Sequence, residues 1–148
     1  MNFSIAIPLI LGWAAALLVN YLADVLPATR QLASPVCRQC EAKFAWTEYL
    51  MLKKSSSCVH PRGWRTWITQ VLGVAAAIYT WLFPPEALGF WLSFFLLIYF
   101  AVVFIIDIEH RLVLHPVSYF GIVLGLLVGV KLHGVASSLL GGIAGFGI

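Results

Sequence analysis

Long apolar runs separated by short polar or proline-marked breaks set the pattern of this chain. Phe3 to Ala23 is the first run, and at 1.5 Å per residue it is long enough to cross a roughly 30 Å hydrocarbon core. Asn20 and Asp24 mark its exit, and Pro27 is expected to end the helix. A polar segment, residues 28–66, follows. Three further runs come after it: Trp67 to Phe83, closed by Pro84 and Pro85; Leu88 to Ile106, running into Asp107; and Pro116 to Leu132. From Val135 the chain turns small and Gly-rich (Gly141, Gly142, Gly145, Gly147) and reads as the start of a fifth helix, stopping at Ile148. The runs are apolar on every side, so no periodicity tells which faces pack together. This pattern predicts an all-α, polytopic transmembrane helix bundle. It has four spans, the start of a fifth, and a small cysteine-containing loop. The parts are a first transmembrane helix (1–27), the loop (28–66) and the remaining helices (67–148).

Composition sharpens this picture. Apolar types make up 61% of the chain and charged residues 10%, against roughly 25% charged in soluble domains. Too few charges remain to coat a water-facing surface, so the lipid bilayer is the expected solvent. Seven of the nine Lys/Arg lie between the first two runs: Arg30, Arg38, Lys43, Lys53, Lys54, Arg62 and Arg65. Basic residues resist translocation, which puts residues 28–66 in the cytoplasm and the N-terminus outside. Trp67, Trp81, Phe83, Phe90 and Trp91, near the expected span ends, fit an interfacial aromatic belt. The net charge of +3 borders a membrane and makes no case for nucleic acid. The first run has neither a positive leading segment nor a small-residue cleavage site, so no cleavable signal peptide is expected.

Chemistry concentrates in two places. Cys37 and Cys40 form a C-x-x-C pair, with Cys58 eighteen residues later and His60 beyond it. Cytoplasmic thiols stay reduced, which favours metal over a disulfide. Tetrahedral zinc bound by Cys37, Cys40 and Cys58, with His60 as a fourth ligand, is one reading. A degenerate knuckle held by apolar packing around Phe44, Trp46 and Trp64 is the other, because Ser55 stands where a second C-x-x-C would begin. The second place is Asp107, one of only two aspartates, at the cytoplasmic end of the third run. A carboxylate at a membrane boundary is costly enough to point to function, although such acids also simply mark helix ends. Asp24 reads as a helix-end residue at the interface.

In order and spacing these features resemble the type IV prepilin peptidases, membrane aspartic endopeptidases. Asn20 and Pro27, with six residues between them, are similar to that family's segment closing the first helix. Pro35, Cys37 and Cys40, followed by Trp46, resemble its first zinc knuckle. Ser55, Cys58, His60, Trp64 and Arg65 resemble its second, with Ser55 in place of a cysteine. Asp107, with His115 and Pro116 after it, resembles the first catalytic aspartate and its trailing loop. The resemblance covers nearly the whole chain. It implies a multi-pass protein of the bacterial inner membrane that cleaves prepilin-like substrate helices at the cytoplasmic face, with Asp107 as one of two catalytic aspartates and structural zinc in the loop. The second aspartate belongs to a G-x-G-D motif that does not occur here. The chain is therefore expected to be the N-terminal part of a longer peptidase, or a short relative that has lost catalysis. Members of the family also methylate the new N-terminus with S-adenosylmethionine. The absence of a nucleotide-type motif and the loss of a knuckle cysteine argue against that activity here. A non-catalytic scaffold beside other membrane subunits is the alternative, and a zinc-loop adaptor is a third.

Overall fold

The chain runs through six helices: α1 (Phe3–Thr29), α2 (Trp46–Leu50), α3 (Trp64–Leu82), α4 (Gly89–His110), α5 (His115–His133) and α6 (Val135–Phe146). These come from a computed structural model that describes residues 3–37, 40, 42–53, 60, 62–111 and 115–146. No strand occurs among the described residues; the one sheet-like feature is an isolated antiparallel bridge between Val36 and Lys43.

Pro27 was expected to end the first helix, but α1 continues through it to Thr29. Proline lacks an N–H and so deprives the turn before it of one hydrogen bond. Thr29 adds a bond of its own, its Oγ1 donating to the Val25 carbonyl at 2.9 Å. The helix stops one residue later, where Arg30 takes a left-handed conformation and its N–H closes on the Leu26 carbonyl. α3 ends where the proline pair predicts, at Leu82. α4 does not break at Asp107 but passes through it to His110, ending on a left-handed Arg111. Gly134, at φ 83°, makes the turn between α5 and α6.

α1 and α3 pack closely because each carries a small pair at i, i+4. Gly12 and Ala16 of α1 meet Ala77 and Gly73 of α3. A Cβ on Gly12 would lie 2.8 Å from the Ala77 Cβ, and one on Gly73 would lie 2.7 Å from the Ala16 Cβ. Such pairs let two backbones approach without a side chain between them. Two polar side chains lie in the same seam. Asn20 donates to the Thr66 carbonyl at 3.3 Å, and Gln70 donates to the Trp13 carbonyl at 2.9 Å. The opposite side of α1 is apolar, with Val19, Ala23 and Leu26 packing on Val102 and Ile106 of α4.

Three helices are long and apolar enough to cross a membrane, over Ile5–Thr29, Gly89–His110 and His115–His133. α3, expected as the second span, is also 19 residues long. It is less apolar because it turns Thr66, Thr69, Gln70 and Thr80 inward. α6 has 12 residues. Only 6% of the α5 window is buried within the chain, against 28% for α1. The outer faces of α5 and α6 are thus available to lipid or to other helices.

Gly73→Leu should destabilise the protein by about 1–3 kcal/mol, the usual cost of overpacking a tight contact. Gly125→Leu should have no comparable effect, since no atom lies within 4 Å of the added Cβ. Thermal unfolding of the detergent-solubilised variants, followed by helical circular dichroism, checks both.

Candidate functional site

Polar chemistry gathers where the end of α1, the start of α3 and the end of α4 come together. Asp24 lies one helical turn beyond Asn20 on α1, so both face the start of α3. Arg65, beside Thr66, reaches back to Asp24 Oδ1 at 2.5 Å and across to Glu109 Oε2 at 2.7 Å. One guanidinium therefore joins three helices. Its side chain keeps 19% of its exposure and that of Asp24 keeps 16%, so the pair is shielded from much of the solvent screening that weakens surface ion pairs. The other Asp24 oxygen accepts from the Tyr49 hydroxyl at 2.8 Å, which ties α2 to the same cluster. Burial, and then the charge of Asp24, push the Tyr49 hydroxyl well above its ordinary range and keep it a donor.

The loop folds onto this cluster through aromatic rings. Tyr21 of α1 lies 5.4 Å from Trp46 and 6.3 Å from Tyr49, and Phe44 lies 5.9 Å from Tyr49. Arg62 stacks over Tyr49 at 4.6 Å and Phe44 at 5.3 Å. Its Nη2 donates to the Glu48 and Tyr49 carbonyls and its Nε to the Lys53 carbonyl. Burial pulls the Arg62 guanidinium below its ordinary value, and these carbonyl contacts compensate the lost hydration. Trp64, expected to help pack the loop, is instead 79% exposed.

The cysteine pair sits on a short hairpin. The Cys37 N–H donates to the Ala42 carbonyl and the Phe44 N–H to the Pro35 carbonyl, both at 2.8 Å, on either side of the Val36–Lys43 bridge. The Cys37 and Cys40 sulfurs and a ring nitrogen of His60 all lie within 4.8 Å of one another. Ligands about 2.0–2.3 Å from a tetrahedral ion stand roughly 3.5 Å apart, so a small contraction brings these three around one ion. They are close enough to hold a metal. Cys58, and Ser55 before it, lie outside the described residues.

A polar cavity of about 290 Å³ lies between the hairpin and the ion-pair cluster, with Asp24, Cys37, His60, Arg62, Arg65 and Glu109 in its wall. Cys37 and His60 of the metal trio therefore face the same space as the carboxylate cluster. Asp107 does not line it. Asp107 is exposed in the last turn of α4, where its carbonyl accepts from the Arg111 N–H at 2.9 Å. Glu109 points instead to Arg65. The role of Asp24 escapes a linear reading because its partner is 41 residues away. The available signal was the i, i+4 spacing of Asn20 and Asp24 on one face of an otherwise apolar helix.

Arg65→Leu should cost about 2–3 kcal/mol, less than the roughly 3–5 of a fully buried pair because some exposure remains. Adding Asp24→Leu should recover part of that loss, since the carboxylate no longer stays behind uncompensated. Chemical denaturation in detergent measures both.

In comparisons with known proteins, no family model matches this chain, and no curated protein or solved structure matches it significantly.

Proposed function

We propose that this chain is part of a prepilin peptidase-like membrane protein, an aspartic-type endopeptidase that trims pilin-like precursors at the cytoplasmic membrane face. One observation supports this reading most. The pieces that carry the resemblance lie together at one end of the helices: Asn20 bonded to Thr66, the Cys37–Cys40 hairpin beside His60, and the α4 end that bears Asp107.

The reaction needs two carboxyl groups close enough to share a proton. One takes a proton from water and then gives it to the leaving amine, while the other, protonated, polarises the scissile carbonyl. Asp107, exposed at the helix end, is the candidate for one of them. Asp24 and Glu109 are held by Arg65, so neither is placed to share a proton with Asp107. The second aspartate would come from a G-x-G-D segment, which this sequence does not contain. Accordingly, the 148-residue chain should not cleave a prepilin in membranes. A longer form carrying a G-x-G-D helix should cleave it and lose at least about 100-fold of its rate on Asp107→Asn, the scale of losing a general acid–base group. Activity that ignores Asp107→Asn would sink the catalytic reading. The non-catalytic scaffold would then stand first, a reading supported by Arg65 pairing with both Asp24 and Glu109.

Zinc is the metal best suited to two thiolates and an imidazole. Bound by Cys37, Cys40 and His60, it would supply a structural cross-link between the hairpin and the segment leading to Arg62. Purified protein should carry about one zinc per chain by elemental analysis. Cys40→Ala should remove most of it, and removal should expose the loop to protease while leaving the helix content unchanged. Absence of zinc would mean that the aromatic cluster alone holds the loop.

A further inference from the structure

The loop between α1 and α3 exposes more apolar surface than a water-facing segment needs. Its short helix α2 buries Tyr49 but leaves Trp46, Leu50 and the capping Met51 between 51% and 65% exposed. Trp46 and Leu50 stand at i, i+4 and so share a face, with Met51 one position on. Half or more of each side chain is left uncovered by the rest of the chain.

Two contacts with α1 set the depth of this face. Tyr21 lies 5.4 Å from the Trp46 ring and donates its hydroxyl to the Ala33 carbonyl at 2.9 Å. Asp24, three residues on, accepts from the Tyr49 hydroxyl at 2.8 Å. α2 is therefore level with Tyr21 and Asp24, within the 25-residue Ile5–Thr29 segment that is long and apolar enough to span a membrane. That segment measures roughly 37 Å, more than a hydrocarbon core of about 30 Å, so its polar end reaches the headgroups. Tyr21 stands before Thr29 by about 12 Å of helix. α2 thus lies alongside the last turns of a spanning helix, at the depth where tryptophan concentrates.

Charge points the same way. Residues 28–66 hold seven Lys/Arg against two acids, Glu41 and Glu48, so the loop is net positive however its individual pairs are arranged. Lys43, before α2, and Lys53, after it, are both exposed. Cations flanking an exposed apolar turn make the composition of a segment that lies in the membrane interface.

We propose that α2 docks on the lipid surface of the bilayer that holds α1. Trp46, Leu50 and Met51 enter the boundary between headgroups and acyl chains, and Lys43 and Lys53 meet the phosphates. The inference needs α1 to span a bilayer but depends on neither peptidase activity nor metal. The 148-residue chain reconstituted into phosphatidylcholine–phosphatidylglycerol vesicles tests it, with bromines near the top or at the end of the acyl chains to quench tryptophan. Trp46→Phe keeps an aromatic ring against Tyr21, and the emission it removes reports Trp46. Shallow bromines should quench that emission roughly two-fold more than deep ones, since interfacial segments sit about 5–10 Å into the boundary. Trp13 on α1 and Trp91 on α4 supply the control. Bromines that quench the emission remaining in the variant but spare Trp46 would overturn the docking alone. Bromines that reach neither would overturn the bilayer placement beneath it. A photoreactive amino acid in place of Leu50 decides the matter if Trp46→Phe disturbs the loop, and it should capture phospholipid. Capture of a second polypeptide would reassign the face to a protein partner, and capture of water alone would leave it in solvent; either result overturns the proposal.

Discussion

Arg65 is the charge on which the polar end of this molecule depends. Carboxylates at a hydrocarbon boundary need a counterion or water, and α1 presents Asp24 there and α4 presents Glu109. A single guanidinium answers both, because its fork offers separate edges to Asp24 and Glu109. A lysine could not hold that geometry, having one compact charge instead of two donor edges. Through Asp24 the same arrangement orients Tyr49 and hence α2, so the position of the loop follows from a contact between helices.

That contact is available only because α1 and α3 lie close along their whole seam. Gly12, Ala16, Gly73 and Ala77 remove the side-chain layer that would hold the backbones apart. The carbonyls of Thr66 and Trp13 then come within reach of Asn20 and Gln70. Small residues and buried amides cooperate here: the first set the distance, and the second use it. The apolar contact of α1 with α4 has no such polar complement, and a wide cavity remains between α3 and α4.

Much of this architecture was legible in the sequence, because membrane helices announce themselves by length and apolarity. The prolines at 84 and 85 marked the end of α3, and the change to small residues from Val135 marked the last helix. Pro27 misled, since a proline in the last turn of a helix costs little when a threonine two residues on supplies a bond. The cysteine pair was legible by its spacing, and His60 was named with it. The cluster around Arg65 was not, for a physical reason. Ion pairs between helices join residues tens of positions apart, and a uniformly apolar helix gives no face along which to align them. Asp24 therefore looked like a helix-end marker, and attention fell on Asp107, which the fold leaves at the surface.

The inward-turned polar residues of α3 bear on how the chain enters a membrane. A segment carrying Arg65, Thr66, Thr69 and Gln70 gains less from lipid than its length implies, since each polar group must shed water on the way in. Opposite α1, Gln70 finds the Trp13 carbonyl, Thr66 offers its carbonyl to Asn20, and Arg65 meets Asp24. These contacts with α1 offset the cost of taking the polar groups of α3 out of water. α5 has no such debt: with so little of its surface turned toward the rest of the chain, it can cross on its own apolarity. α1 thus supplies the partners that the least apolar of the long helices needs.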